Sequence, residues 1–145
     1  MEVRLARSPD DVEQALRLRE GVFFHEQGVP VAADRDGRDG EAVHVVAVER
    51  GRVVGTCRLV LRGAVARLGR MAVERERRGQ GIGAAVLREA ERAAQAAGAG
   101  RVDLHAQLRA RALYERAGYS ERGRPFVEEG IEHVRMEKSL EGGSP

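Results

Sequence analysis

Aromatic rings are scarce in this 145-residue chain: they make up 3% of it, and tryptophan is absent. A core must be assembled from Leu, Val, Ile and Ala, and the 42% hydrophobic share allows one compact domain, expected to cover residues 1–145. Cysteine occurs once, at Cys57, which excludes an intramolecular disulfide and gives no sign of an oxidising compartment. Inside the run "VVGTCRLVL" it reads as a small buried hydrophobe. Lysine also occurs once, at Lys138, so the positive charge is nearly all arginine. Acids almost balance it, with Lys+Arg 25 against Asp+Glu 23, and the two signs are interleaved along the chain. That pattern speaks against a nucleic-acid partner, which requires basic residues gathered on one face. No stretch approaches the ~20 apolar residues of a membrane span, and the opening "MEVRLARSPDD" lacks the apolar centre of a signal peptide. The expectation is a cytoplasmic protein with no membrane partner. His25, His44, His105 and His133 have no metal-ligand spacing, so no metal is expected. Internal repeats and dividing linkers are also lacking.

What is present reads as alternating elements. Residues 2–6, "EVRLA", alternate apolar and polar and predict a short strand. Ser8, Pro9, Asp10 and Asp11 form a helix start, with a hydroxyl cap, a proline in the first turn and acids at the positive helix end. The helix is expected to run through "DVEQALRLREGVFF", with Gly21 a weak point. From Gly28 to Glu41 the composition turns to Gly, Asp, Pro and Arg: a long loop, either solvated or a flexible lid over a substrate pocket. Its "DRDGRDGE" fails as a calcium loop, because Arg38 takes the fifth position, Asp39 the sixth where Gly is needed, and Val45 the twelfth where Glu is needed.

Three strand-like segments follow, at 43–49, 52–61 and 65–73, with reversals at Arg50-Gly51 and Arg62-Gly63, which predict an antiparallel meander. Past a glycine-rich turn, Ile82, Val86, Ala90, Ala93 and Ala97 recur at helical spacing up to a stop at Gly98. A strand at 101–106 comes next; a helical crossover implies that it runs parallel to the strand before the helix. A second helix at 108–118, a short extended piece near Tyr119 and a last strand at 131–137 complete the reading.

The turn "RRGQGIGAAV" carries the chemistry. A strand that enters a glycine-rich turn and leaves as a helix presents unpaired N–H groups and the positive end of the helix, a seat for phosphate. Gly79, Gly81 and Gly83 let the main chain come close, and Arg77 and Arg78 can add charge-assisted hydrogen bonds. A nucleotide-triphosphate loop is excluded, since no lysine lies there. Gly79, Gly81 and Ala84 do fit G-x-G-x-x-A, with Asp103 further on, as in dinucleotide binders. Against that reading, the motif follows a meander, its preceding strand carries Arg67 and Arg70, and too little chain remains to complete such a sheet.

A third pattern, R-x-x-G-x-G, is filled by Arg78, Gly81 and Gly83. Here the sequence resembles the GNAT superfamily of N-acetyltransferases, whose signature cradles the pyrophosphate of acetyl-CoA. "GRMAV" looks like that family's fourth strand, and Ala110, Leu113, Tyr114, Gly118 and Tyr119 hold the positions of its A-x-x-[FL]-Y-x-x-x-G-[FY] block. A narrower resemblance, to the ElaA-type branch of small bacterial GNAT proteins, rests on "RLREGVFFHEQGVP", the Asp34, Asp36 and Asp39 loop, His44, "HAQ" at 105–107 and "FVEEGIEHVRM" at 126–136. Tyr119 departs from the more usual Phe, a change expected to affect core packing alone.

The resemblance implies an α/β (α+β) fold: a mixed, mostly antiparallel sheet splayed between strands 4 and 5, with helices on both faces. It implies acetyl transfer from acetyl-CoA to an amine of a small molecule or peptide, with a homodimer as one expected assembly. The main chain of Met71, Ala72 and Val73 would hold the pantetheine arm. Arg78 with Gly79, Gln80, Gly81, Ile82, Gly83 and Ala84 would hold the pyrophosphate, and Gln107 and Tyr114 complete the cosubstrate set. Tyr114 is expected to protonate the departing thiolate, a phenol near pKa ~10 facing a thiol near ~8.5. An ammonium near pKa ~10.4 must also lose a proton, at a cost of about 4–5 kcal/mol at neutral pH, and Glu26, His44, Glu128 and His133 are the candidates to assist. The alternative from another class is a CoA- or nucleotide-binding regulatory module without catalysis.

Overall fold

The computed structural model describes residues 1–140, so residues 141–145 of the expected 1–145 unit lie outside the described residues. The strands are β1 (Glu2–Leu5), β2 (Val43–Glu49), β3 (Arg52–Arg62), β4 (Val65–Val73), β5 (Arg101–Gln107), β6 (Ser120–Glu128) and β7 (Ile131–Ser139). They form a seven-stranded sheet in the order β1-β2-β3-β4-β5-β7-β6. β4 and β5 are parallel and every other neighbouring pair is antiparallel.

The parallel pair is short. Its register runs from Val65↔Arg101 to Leu68↔Leu104 and stops there, although β4 continues to Val73 and β5 to Gln107. The sheet therefore opens into a V beyond Leu68. A bulge helps to drive the opening: Thr56 and Arg58 of β3 face Ala72 and Gly69 of β4, so β4 carries one extra residue, and Arg70 within it has φ +57°.

Helices cover both faces. α1 (Pro9–Arg19) starts as its sequence dictates, with the Ser8 hydroxyl accepting from Asp11 N at 3.1 Å. It buries Ala15 against Val46 and Val53. On the other face α3 (Ile82–Ala96) packs Ile82, Val86, Leu87, Ala90 and Ala94 onto Val45, Ala47, Val54 and Leu59. The contact at its first residue leaves no slack: a Cβ added to Gly55 of β3 would lie 2.6 Å from Ile82 Cγ2. Glycine at 55 is what lets the start of α3 sit down on the sheet.

Several boundaries differ from the sequence reading. α1 ends at Arg19 and the chain widens into a π-helical run, Glu20–Glu26, around the weak helix former Gly21. The stretch expected as one long loop contains α2 (Val31–Asp34). The second expected helix divides into a 3₁₀ turn, Leu108–Ala110, and α4 (Arg111–Arg116). The short piece near Tyr119 is the nine-residue strand β6, which tolerates Gly123 and Pro125 because it is the sheet's edge.

The 28–41 segment is neither simply solvated nor loose. Arg19, 1% exposed, donates to Asp39 Oδ1 at 2.7 Å and to Asp34 O at 3.0 Å, and pairs with Asp34 Oδ1 at 3.2 Å. Arg58, 6% exposed, grips Asp36 with both terminal nitrogens at 2.7 and 2.8 Å. Arg70 reaches Asp34 Oδ1 at 3.0 Å and Asp36 Oδ2 at 3.3 Å. Arginines from α1, β3 and β4 thus meet aspartates 34, 36 and 39, and the loop is clamped to the sheet.

Candidate active site

The turn after β4 is built for main-chain exposure. Gly79 and Gly81 have φ of +77° and +82°, a region that costs a residue with a Cβ about 1–2 kcal/mol. Gly81 is the N-cap of α3, and no side chain caps that end. Among the described residues, the first N–H groups of α3 therefore have neither an intrahelical partner nor a side-chain substitute at the positive helix end. In front of them is a cavity of about 670 Å³, lined by Val73, Arg78, Gly79, Gly81 to Ala84, Leu113 and Arg116 among others. Gly83 keeps its wall thin; a Cβ there would stand 3.5 Å from Leu113 Cδ2 and 3.8 Å from Val73 Cγ2.

Five cations border this cavity: Arg77, Arg78, Arg88, Arg116 and Lys138. Arg77 is committed to Glu49 through a two-pronged pair, one arm at 2.7 Å, and to Gln80 Oε1 at 3.2 Å. Arg78 donates from Nε to Val73 O at 3.0 Å and pairs with Glu26. Lys138 reaches Glu91 at 3.1 Å, and Glu91 also accepts the Tyr119 hydroxyl at 2.8 Å. Tyr119 is therefore more than packing: its phenol helps to join α3 to β7. Arg88 and Arg116 have no ion-pair partner among the described residues. Sequence reading passed over both as ordinary surface charge.

Tyr114 lies in α4 with its ring 5% exposed and 5.8 Å from the Tyr119 ring, edge to face. Its hydroxyl makes no hydrogen bond among the described residues. Neither is it sealed off, since among the described residues the single sealed, unpartnered side-chain polar atom is Asp34 Oδ2. The phenol is thus a nearly buried hydroxyl that is not fully sealed. Burial, and to a lesser degree the neighbouring Cys57, pushes its pKa above the ordinary tyrosine value. Burial pushes the Cys57 thiol up as well, which makes it inert.

Across the mouth of the V runs a strap made of two consecutive residues. Glu26 pairs with Arg78, just beyond β4, and Gln27 Oε1 accepts from Gln107 Nε2 at 2.9 Å, at the end of β5. His133 stands opposite Gln107 in the β5–β7 register, its Nδ1 on Ile131 O at 2.7 Å and its ring stacked on Phe126 at 6.0 Å. Glu128 meets His105 Nδ1 at 3.0 Å, and His105 contacts Phe126 edge to face at 4.9 Å. The structure thus gathers Glu128 and His133 around Phe126 beside the end of β5, with Glu26 in the strap over the V. His44 is elsewhere: it is 5% exposed, opposite Arg58, with Nε2 on Asp39 O at 3.0 Å. His105 and Gln27 went unremarked as site residues in the sequence; the alternation in "HAQ", which puts residues 105 and 107 on one face of a strand, was the signal for the first.

The sequence profile described as acetyltransferase (GNAT) domain matches residues 8–140. The chain belongs to the GNAT acetyltransferases. It is similar to an uncharacterised N-acetyltransferase of Bacillus subtilis (strain 168), YjcF, with 31% identity over 95% of this chain and 99% of that protein. Among solved structures it is similar to an acyl-CoA N-acyltransferase from Pseudomonas aeruginosa, with a TM-score of 0.84 and 25% identity over 95% of this chain and 99% of the other. Escherichia coli ElaA has the same fold, with a TM-score of 0.86 and 23% identity over 95% and 99% of the two chains. The GNAT fold, with its parallel β4–β5 pair in an otherwise antiparallel sheet, is the one expected from the motifs. The chain is a GNAT N-acetyltransferase; GNAT enzymes use acetyl-CoA and act on amine acceptors.

Proposed function

We propose that this chain transfers the acetyl group of acetyl-CoA to a primary amine, with the cosubstrate seated on the uncapped start of α3. One observation carries the reading: the uncapped start of α3 and Val73, at the β4 edge of the open V, line one cavity. The residues fit the diphosphate. Gly79 and Gly81 expose the main chain, the amides from Gln80 to Ala84 donate to phosphate oxygens, and Arg78 adds charge; Arg88 and Arg116 offer cations to the remaining phosphate. The main chain of Met71 and the N–H of Val73, without a β5 partner among the described residues, are available to the amide groups of a pantetheine arm lying in the V, while Val73 O is held by Arg78.

In the reaction the amine lone pair attacks the thioester carbonyl carbon. A C–N bond forms, the C–S bond breaks, and the electron pair leaves on sulfur. Tyr114 gives that sulfur its hydroxyl proton. A phenol raised by burial stays protonated at neutral pH and so keeps the proton it is to deliver. The proton that the amine nitrogen loses is assigned to a base, Glu26 in the strap or Glu128 or His133 near the end of β5, and His44 is assigned to holding the 28–41 segment.

Titration calorimetry with CoA, followed by a thiol-release assay on a panel of amines, tests the reading. The chain's single cysteine is buried and does not contribute to the thiol signal. CoA binding with thiol release in the presence of an amine is expected. CoA binding without turnover on any amine would favour the regulatory alternative, and absence of binding would remove the proposal.

A further inference from the structure

The donors of Arg78 are already engaged. Nε donates to Val73 O at 3.0 Å, and the two terminal nitrogens meet the two oxygens of Glu26 at 2.9 and 3.0 Å. Two oxygens offered side by side to a guanidinium is also how arginine takes a phosphate. Glu26 thus occupies the face of Arg78 that a diphosphate would use, while Arg78 masks the carboxylate of Glu26. No other cation pairs with Glu26 among the described residues. The pair is also placed to exchange: the two side chains are 42% and 28% exposed, whereas those of the Arg19–Asp34 pair are 1% and 4% exposed. Water-accessible pairs are weak, so a better anion can replace the carboxylate at little cost.

Building on the cosubstrate site proposed above, we infer that Glu26 is a placeholder anion, displaced from Arg78 by the diphosphate of the cosubstrate and thereby freed at the mouth of the V. Gln27, the next residue, stays anchored to Gln107, so the released carboxylate remains within the strap. There it presents a bare anion to the incoming acceptor, which is accordingly an ammonium-bearing molecule that enters after the cosubstrate. A single guanidinium couples the two events: one partner's arrival creates the other's site.

The test is calorimetric titration of CoA into wild type, Glu26→Gln, Arg78→Gln and the double variant. Glu26→Gln is expected to bind CoA about two- to fivefold more tightly, the range in which exposed ion pairs act. In the Arg78→Gln background the change at Glu26 is expected to leave CoA affinity unaltered, because nothing remains to be displaced. Unchanged or weaker binding by Glu26→Gln overturns the inference, as does equal tightening in both backgrounds, which would be a bulk charge effect. Wild type that binds no CoA would overturn the underlying site assignment, and this inference with it. Carbodiimide labelling read by peptide mass spectrometry follows the carboxylate itself: Glu26 labelling should rise on CoA addition. A fall or no change would refute its release.

Discussion

Beneath the 28–41 segment, Arg19 and Arg58 are 1% and 6% exposed, and each guanidinium is matched by carboxylates. Around the cavity in front of α3, Arg78 is 42% exposed in a pair open to water, and Arg88 and Arg116 are unpaired among the described residues. The residue type is the same and the physical situation opposite. Charges taken out of water cost several kcal/mol each unless they are paired, so the first group must be complete within the chain and reads as structure. Arginines left in water carry no such obligation and can wait for an external anion. Exposure and pairing, rather than composition, separate an arginine that holds the fold from one that holds a ligand.

The sharpest way to break this comparison is to remove a buried arginine. Arg19→Met takes one arginine from each of Asp34 and Asp39, leaving them to Arg70 and Arg58, and a loss of about 3–5 kcal/mol is expected in urea unfolding. A loss below 1 kcal/mol would mean that the cluster is no clamp. Acid tests the same region together with the Arg4–Asp11 pair at the start of α1. Arg58 holds Asp36 well below the usual carboxylate range, the pairs of Asp39 with Arg19 and Arg58 outweigh its burial, and Arg4 holds Asp11 at about 2. Their folded values are depressed, so the stability they confer is full above the unfolded value near ~4 and is lost as pH falls from there toward ~2. A thermal midpoint that drops steeply across that window is expected; a flat profile would contradict it.

On the cavity side the effects are on chemistry. Tyr114→Phe is expected to lower turnover roughly ten- to a thousandfold in the thiol-release assay while CoA affinity stays nearly constant. Unaltered turnover would take the phenol out of the reaction. Smallest of all, Arg88→Gln combined with Arg116→Gln should weaken CoA binding by about two- to tenfold, with a shallower salt dependence and an unfolding midpoint close to wild type. A large loss of stability there would erase the distinction drawn above.

Much of this was legible in the sequence because it is local. The Ser8 cap, the reversal at Arg50-Gly51 with both residues at positive φ, and the glycine turn that leads into α3 depend on neighbours within a few residues. The arginine–aspartate clamp was not legible: it joins residues 19, 58 and 70 to 34, 36 and 39, and at that separation each looks like solvated surface. β6 runs nine residues where a short piece near Tyr119 was expected, and its Gly123 and Pro125, disfavoured inside a sheet, are accepted at the edge. The meeting of Gln27 with Gln107 spans eighty residues and has no sequence signature. Gly55, a glycine inside a valine-rich strand, was a signal of close approach that could have been read.

That glycine also explains how the enzyme keeps an unfinished helix end steady. Most helices secure their first turn with a side chain, but α3 leaves its opening amides bare, giving up roughly 1 kcal/mol of local stability. The restraint comes from below, through Ile82 resting where residue 55 has no side chain. Electrostatic readiness above the sheet is thus secured by steric fit within it. A larger residue at 55 would be tolerated only with a smaller one at 82, tying two positions far apart in sequence to a common fate.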